Sequence, residues 1–169
     1  QSGDEIQWMS DESSELLKTG KTRLKDGEID DALDLFEEAY DFADETTESE
    51  ILFYLAYTYS ITGDMIGAYE SLADIEVDFE AEYYPNLVIF KGQLLIETFA
   101  YDEAAEWLAD NIENLADYPE SMQTALLLEG ISQMELGDTE KARSALSSSA
   151  AMDAESDAGM VAADLINKL

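Results

Sequence analysis

The groups in this sequence with chemistry to offer are carboxylates and a few lysines. Of 169 residues, 40 are Asp or Glu, 8 are Lys or Arg, and none is Cys or His. The acids cluster in Glu28-Ile29-Asp30-Asp31, in Glu37-Glu38 and around Glu48 and Glu50. Such groups could hold a cation or divide acid and base work in glycosidic hydrolysis. None has the Asp-x-Asp-x-Asp-Gly spacing of a calcium loop. With so many carboxylates, neighbouring pairs are expected on any solvated helix face. No pair stands out, so the sequence assigns no catalytic residue and no metal ligand, and the chain is expected not to be an enzyme.

The missing residue types exclude more. Zinc prefers thiolate and imidazole, and neither is present. The base and thiol of Ser-His-Asp and Cys-His triads are absent, as are haem axial histidine and iron–sulfur cysteines. No cofactor is expected. The formal charge of −32 argues against nucleic acid, whose phosphates need clustered Lys and Arg. It argues equally against an anionic membrane surface. The longest apolar run, Ile51 to Tyr57, falls far short of the roughly 20 residues of a membrane span. A protein, an apolar ligand or a cation remain as partners. The acidity itself reads as a solvating surface, suited to a salty environment.

The basic residues are concentrated. Lys18, Lys21 and Lys25 fall at i, i+3 and i+7, on one helix face near Arg23. They form a candidate docking patch for an acidic group. The competing reading is that they pair with carboxylates of neighbouring helices, at little energetic gain per pair.

The elements that must position these groups are set by a repeat. Gly20, Ala56, Gly92 and Gly130 form one column, stepping by 36, 36 and 38 residues. Three further columns share that spacing: Ala32, Ala68, Ala104 and Ala142; Gly27, Gly63, Phe99 and Gly137; and Phe36, Leu72, Leu108 and Leu146. Each unit reads as two helices joined by a short turn, because the apolar residues on either side recur at helical spacing. Glycine suits the end of the first helix, where a left-handed residue closes it at no steric cost. The small columns predict close approach of Gly20 and its equivalents to the Ala column, with the large column filling the space beside them. One hairpin cannot bury its apolar face alone, but stacked neighbours can.

A turn of the form Gly-Asp-x-x-x-Ala, with Gly or Ala seven residues earlier, resembles the tetratricopeptide repeat (TPR). Gly63-Asp64 to Ala68 and Gly137-Asp138 to Ala142 carry the resemblance best, and Tyr101-Asp102-Glu103-Ala104 matches the start of a second helix. The sequence departs from the family at Leu16, Leu52, Val88 and Leu126, where a large aromatic is usual, and at Phe99. The resemblance implies an all-α, right-handed superhelical solenoid of antiparallel helix pairs. It divides the chain into residues 1–12, an N-terminal segment packed on the first repeat; 13–154, four hairpins; and 155–169, a capping helix.

In the family, first helices line a concave groove that receives partner segments. The matching positions here are Leu17, Phe53, Ile89 and Leu127; Lys21, Tyr57, Gln93 and Ile131; and Leu24, Ser60, Ile96 and Met134, with Tyr54 and Phe90 adjacent. This surface is mainly apolar. One reading is a groove for an apolar partner segment. Another is a covered surface, with tight coiling or the segment Ile6-Trp8-Met9 lying over it. Others are a small hydrophobic ligand or a second copy of the chain, giving a homo-oligomer. Only the first hairpin supplies Lys to these columns, which speaks against a clamp for a terminal carboxylate. The expected role is a non-catalytic protein-interaction scaffold. Gln1, the absence of Cys and the acidity favour an extracytoplasmic, periplasmic location, and a salt-adapted cytosol accounts for the acidity equally well.

Overall fold

The computed structural model describes residues 3–169. Gln1, used above to favour a compartment, lies outside the described residues. The described chain is all-α, with no strand. Its helices are α1 (Gly3–Lys25), α2 (Ile29–Asp41), α3 (Glu48–Thr62), α4 (Met65–Ala73), α5 (Tyr84–Glu97), α6 (Tyr101–Asn111), α7 (Pro119–Glu135), α8 (Thr139–Met152) and α9 (Asp157–Ile166). A 3-10 turn, Ile112–Leu115, follows α6. The chain divides into two compact units, Gln1–Asp78 and Phe79–Leu169.

In the first unit, α1 packs on α2, α2 on α3 and α3 on α4. Its core is Leu17, Ala32, Phe36, Ala39, Ile51, Leu52 and Leu55. Tyr59 on α3 donates to the Glu37 carboxylate on α2 at 2.8 Å, and burial followed by this bond pushes its phenol up to about 12. In the second unit, α5 packs on α6, α6 on α7 and α7 on α8, and α9 lies against α7 and α8. A buried polar knot fastens that end. Gln123 on α7 donates to the carbonyls of Ser149 and Asp153 at 2.9 and 2.8 Å, and accepts from the Ser156 hydroxyl at 2.9 Å. Ser156 in turn caps α9 by accepting from Gly159 N. A capping residue contributes about 1 kcal/mol, and here it also docks the helix it starts.

The turn column is visible in the backbone. Gly27, Gly63 and Gly137 have φ of 81°, 87° and 79°, and Phe99 adopts the same left-handed conformation at 63°. The residue that breaks the glycine pattern therefore does not break the turn. It carries the steric cost of a Cβ there instead, with its ring 77% exposed. Asp64 and Asp138, each following a turn glycine, cap α4 and α8 by accepting from Gly67 N at 2.9 Å and Lys141 N at 3.0 Å.

The close approach within hairpins differs from the expected one in its partner. The Ala column is fully buried. Yet the helical glycines face the large column, not the alanines. A Cβ added at Gly20 would lie 2.6 Å from the Phe36 ring, at Gly92 2.9 Å from Leu108, and at Gly130 2.5 Å from Leu146. The missing side chain makes a socket for a large one. Phe36, Leu108 and Leu146 are fully buried in those sockets.

Residues 3–12 are the opening turns of α1 rather than a separate segment. Ile6 and Trp8 are exposed, and Trp8 rests edge-on against Phe42 at the end of α2, with ring centroids 5.6 Å apart. A continuous helix rises about 1.5 Å per residue. The stretch Ile6–Met9 is thus carried along the axis away from Leu17 and does not fold back over it.

Two stability outcomes follow from this packing. Gly20→Ala gains helix propensity of about 1 kcal/mol but overpacks the Phe36 socket by about 1–3 kcal/mol. A net loss on the order of 1 kcal/mol is expected by urea denaturation, and a gain would show that the socket yields. Phe99→Gly relieves the left-handed strain and should raise stability by about 1 kcal/mol, read as a higher melting temperature.

Candidate functional site

The first-helix residues expected to line a groove divide by burial. In the first unit, Leu17 and Phe53 are buried, and Leu24 and Tyr54 are half-buried. Tyr54 stacks on Phe36 at 5.5 Å and meets Phe53 edge-on at 5.1 Å. Lys21 is half-buried, with its ammonium 2.7 Å from Glu50 and 5.1 Å from the Tyr54 ring centroid. Tyr57 stays at the surface, 40% exposed.

In the second unit, Leu127 is buried against Leu146 and Ala162, with Ile131 and Met134 packed onto that cluster. Ile89 and Ile96 pack onto the cluster built around Tyr84, Val88 and Leu108. Phe90 is half-buried and Gln93 exposed. Most of these side chains therefore serve packing. The reason is local: α3 is held between α2 and α4, and α7 touches α5, α6, α8 and α9. A helix apolar nearly all round is one with neighbours on most sides.

The basic patch fares differently. Lys18, Lys21 and Lys25 come together with Leu17 and Thr22 on α1, and with Thr47 and Glu50 at the start of α3, around an open depression of about 480 Å³. Lys21 is paired with Glu50. Among the described residues, no carboxylate stands within ion-pair distance of Lys18 or Lys25. Arg23 points elsewhere, onto Glu28, whose hydrogen bond and charge raise its pKa. The expectation that these lysines pair with neighbouring helices thus holds for Lys21 alone. In a chain of charge −32, this leaves two ammonium groups without a carboxylate partner on the rim of the depression.

The α2–α3 connection places the far wall of this depression. The Asp44 carboxylate accepts from the Thr46 hydroxyl at 2.6 Å, from the backbone N–H groups of Thr46 and Thr47 at 3.0 and 3.1 Å, and from the Thr47 hydroxyl at 3.1 Å. The Thr46 hydroxyl first, then the Ser10 hydroxyl, with the other Thr46 and Thr47 bonds, hold its carboxyl far below the ordinary carboxylate range. Thr47 precedes α3 directly, so this knot sets where Glu50 emerges.

A second, smaller depression of about 240 Å³ lies in the second unit, where α5 meets α6. The Lys91 ammonium sits 4.3 Å from the Trp107 ring centroid, and the Trp107 indole donates to Val88 O at 3.0 Å. Glu103, Glu106 and Asp110 surround the mouth. Burial lowers the Lys91 pKa, opposed by the charge of Glu103. Sequence reasoning passed over this pair. The available signal was that Lys91 is the sole basic residue between Lys25 and Lys141. Its cation is already in place, so the pair reads as a latch between two helices. Among the described residues, no group of three or more acidic side chains is placed to hold a metal ion. No described helix is long and apolar enough to cross a membrane.

Helix pairs, left-handed turns and glycine sockets make a helical-repeat fold similar to the tetratricopeptide one, and solved structures agree on that fold. The chain superposes on pilF of Pseudomonas aeruginosa with a TM-score of 0.70 at 17% identity, covering 95% of this chain and 70% of that one. A double mutant of MamA RS-1 gives a TM-score of 0.69 at 19% identity, covering 95% and 93%. The apo form of RapI gives 0.62 at 17% identity, covering 89% of this chain but 46% of RapI. No protein-family profile and no curated protein sequence matches the chain.

Two measurements probe this site. Phe53 is 5% exposed, so Phe53→Asp should unfold the first unit, costing several kcal/mol, instead of subtly altering a surface. Circular dichroism would read this as lost helix. For Asp44, the depressed folded pKa means its stabilisation is complete above the unfolded value of about 4 and is lost as pH falls through the folded one. The melting-temperature gap between wild type and Asp44→Asn should therefore be full at pH 7 and narrow below about pH 4.

Proposed function

We propose that this protein is a non-catalytic interaction scaffold that receives a segment of a partner protein on the first-helix face of its first unit. The partner's apolar side chains rest against Tyr57 and the half-buried Leu24 and Tyr54, while an acidic group enters the depression between Lys18 and Lys25. The observation that carries this reading is those two lysines: ammonium groups without carboxylate partners, on the rim of an open depression, in a chain with five acids for every basic residue. A surface under no demand for anion recognition would be expected to neutralise them with the acids so abundant nearby.

The fold supports the same reading, since helical repeats present extended surfaces built for partners. In the second unit, Ile89, Phe90, Gln93, Ile96, Leu127, Ile131 and Met134 are the matching positions. Of these, Gln93 and the half-buried Phe90 are the ones with surface to offer. No chemistry of bond making is assigned to any carboxylate.

The test is affinity capture from native extract, with wild type and Lys18→Ser/Lys25→Ser/Tyr57→Ser compared side by side and the captured proteins identified by mass spectrometry. All three positions are exposed, so the variant should keep its helical spectrum. A protein held by wild type and reduced at least about tenfold with the variant is the expected result, a loss of ~1.4 kcal/mol or more. Equal capture by both, or by neither, overturns the assignment.

A further inference from the structure

The short helix α4 is built against its own interest. Of its large apolar side chains, Leu72 is buried, whereas Met65, Ile66 and Tyr69 are exposed, Ile66 to 73%. Ile61, in the last turn of α3, is exposed as well. Gly63 reverses the chain between them and Asp64 caps α4, which brings the end of α3 beside the start of α4. Ile66 and Tyr69 are spaced i, i+3, and Met65 and Tyr69 i, i+4, so all three share one side of the helix. Single exposed apolar residues need no explanation, but four within nine consecutive positions form a patch.

The charge around that patch has one sign. From residue 26 to residue 90 there is no Lys or Arg, while 19 residues are Asp or Glu. Asp64, Glu70 and Asp74 flank the patch within the same hairpin, all exposed. A second copy of this chain would bring the same acids to the contact and be repelled by them. An anionic membrane surface would be repelled likewise. The complement of an apolar centre with an acidic rim is an apolar row flanked by cations.

We infer that the α3–α4 hairpin is a docking surface, distinct from the lysine depression, for an amphipathic segment bearing Lys or Arg beside its apolar face. The apolar row covers Ile66 and Tyr69, and the cations pair with the acidic rim. The partner chemistry is opposite to that of the depression on α1. The two surfaces therefore select different segments and do not compete for the same one.

The probe is a fluorescein-labelled helical peptide of Leu and Lys at amphipathic spacing, about 18 residues long so that it can form a helix. Its twin carries Glu in place of Lys. Binding is read by fluorescence anisotropy. The Lys peptide should bind wild type, and Ile66→Ser/Tyr69→Ser should weaken it about tenfold or more, as loss of two interface anchors does. The substitutions leave the net charge unchanged, so they test the patch and not the overall field. Met160→Ser/Val161→Ser on α9, also at exposed apolar positions, should bind as wild type does. Affinity should fall with added salt.

The proposal is overturned if the Glu twin binds as well, if salt has no effect, or if both Ser variants behave alike, since binding is then diffuse. It is overturned too if wild type does not bind. If sedimentation shows a wild-type dimer that Ile66→Ser/Tyr69→Ser dissolves, the occupant is a second copy and the basic partner is wrong.

Discussion

The structure depends on how closely two helices of a hairpin can approach. An alanine at Gly20, Gly92 or Gly130 would drive its Cβ into Phe36, Leu108 or Leu146. Without it, the second helix seats a large side chain directly against the backbone of the first. That contact does two things at once. It buries a large apolar side chain, Phe36, Leu108 or Leu146, at about 25 cal/mol per Å² of surface removed from water. It also sets the spacing at which the next helix can be laid down, since the buried Ala column on the same second helices leaves room for little else. Much of the remaining core packing can be understood as a consequence.

The charge pulls the other way. A compact chain at −32 carries strong self-repulsion, relieved as salt shortens the reach of each charge. Against that background, places where charge is locally arranged stand out. Asp44 spends its charge on a knot of threonine and backbone donors ahead of α3. Lys91 spends its charge on the Trp107 ring and the acids around it. Lys18 and Lys25 have no carboxylate within ion-pair distance among the described residues, and that is why the proposed site is placed on them and not on the far more numerous carboxylates.

The expected groove illustrates a limit of reading columns. Leu17, Phe53 and Leu127 share one repeat column and Tyr57 and Gln93 share the next, and both columns read as groove positions, yet the first three are buried and the last two exposed. Apolarity along a first helix is required by two different jobs, packing between neighbours and docking a partner. Both produce the same letters. What separates them is which side of the helix the adjacent helices cover, and that depends on how far each hairpin is rotated on its neighbour. The patch on α4 is the same problem in reverse. Met65, Ile66, Ala68, Tyr69 and Leu72 read as an apolar helix for burial, but only Ala68 and Leu72 are taken into the core.

The amino-acid sequence by itself determined the elements and their order. Turn positions are governed by backbone sterics within a few residues, so Gly27, Gly63 and Gly137 announced themselves, whereas Phe99 read as a departure and only the structure showed it in the same left-handed conformation. Hairpin composition was equally local, because helical periodicity is a property of neighbours in the chain. Tertiary structure alone decided what each glycine faces, that Ile6–Met9 continue α1 and do not lie over a groove, and which apolar side chains remain at the surface. It also decided that Lys21 finds Glu50 while Lys18 and Lys25 find no carboxylate. These are outcomes of packing between segments distant in sequence, where a shift of a few ångströms exchanges one partner for another without altering any local pattern.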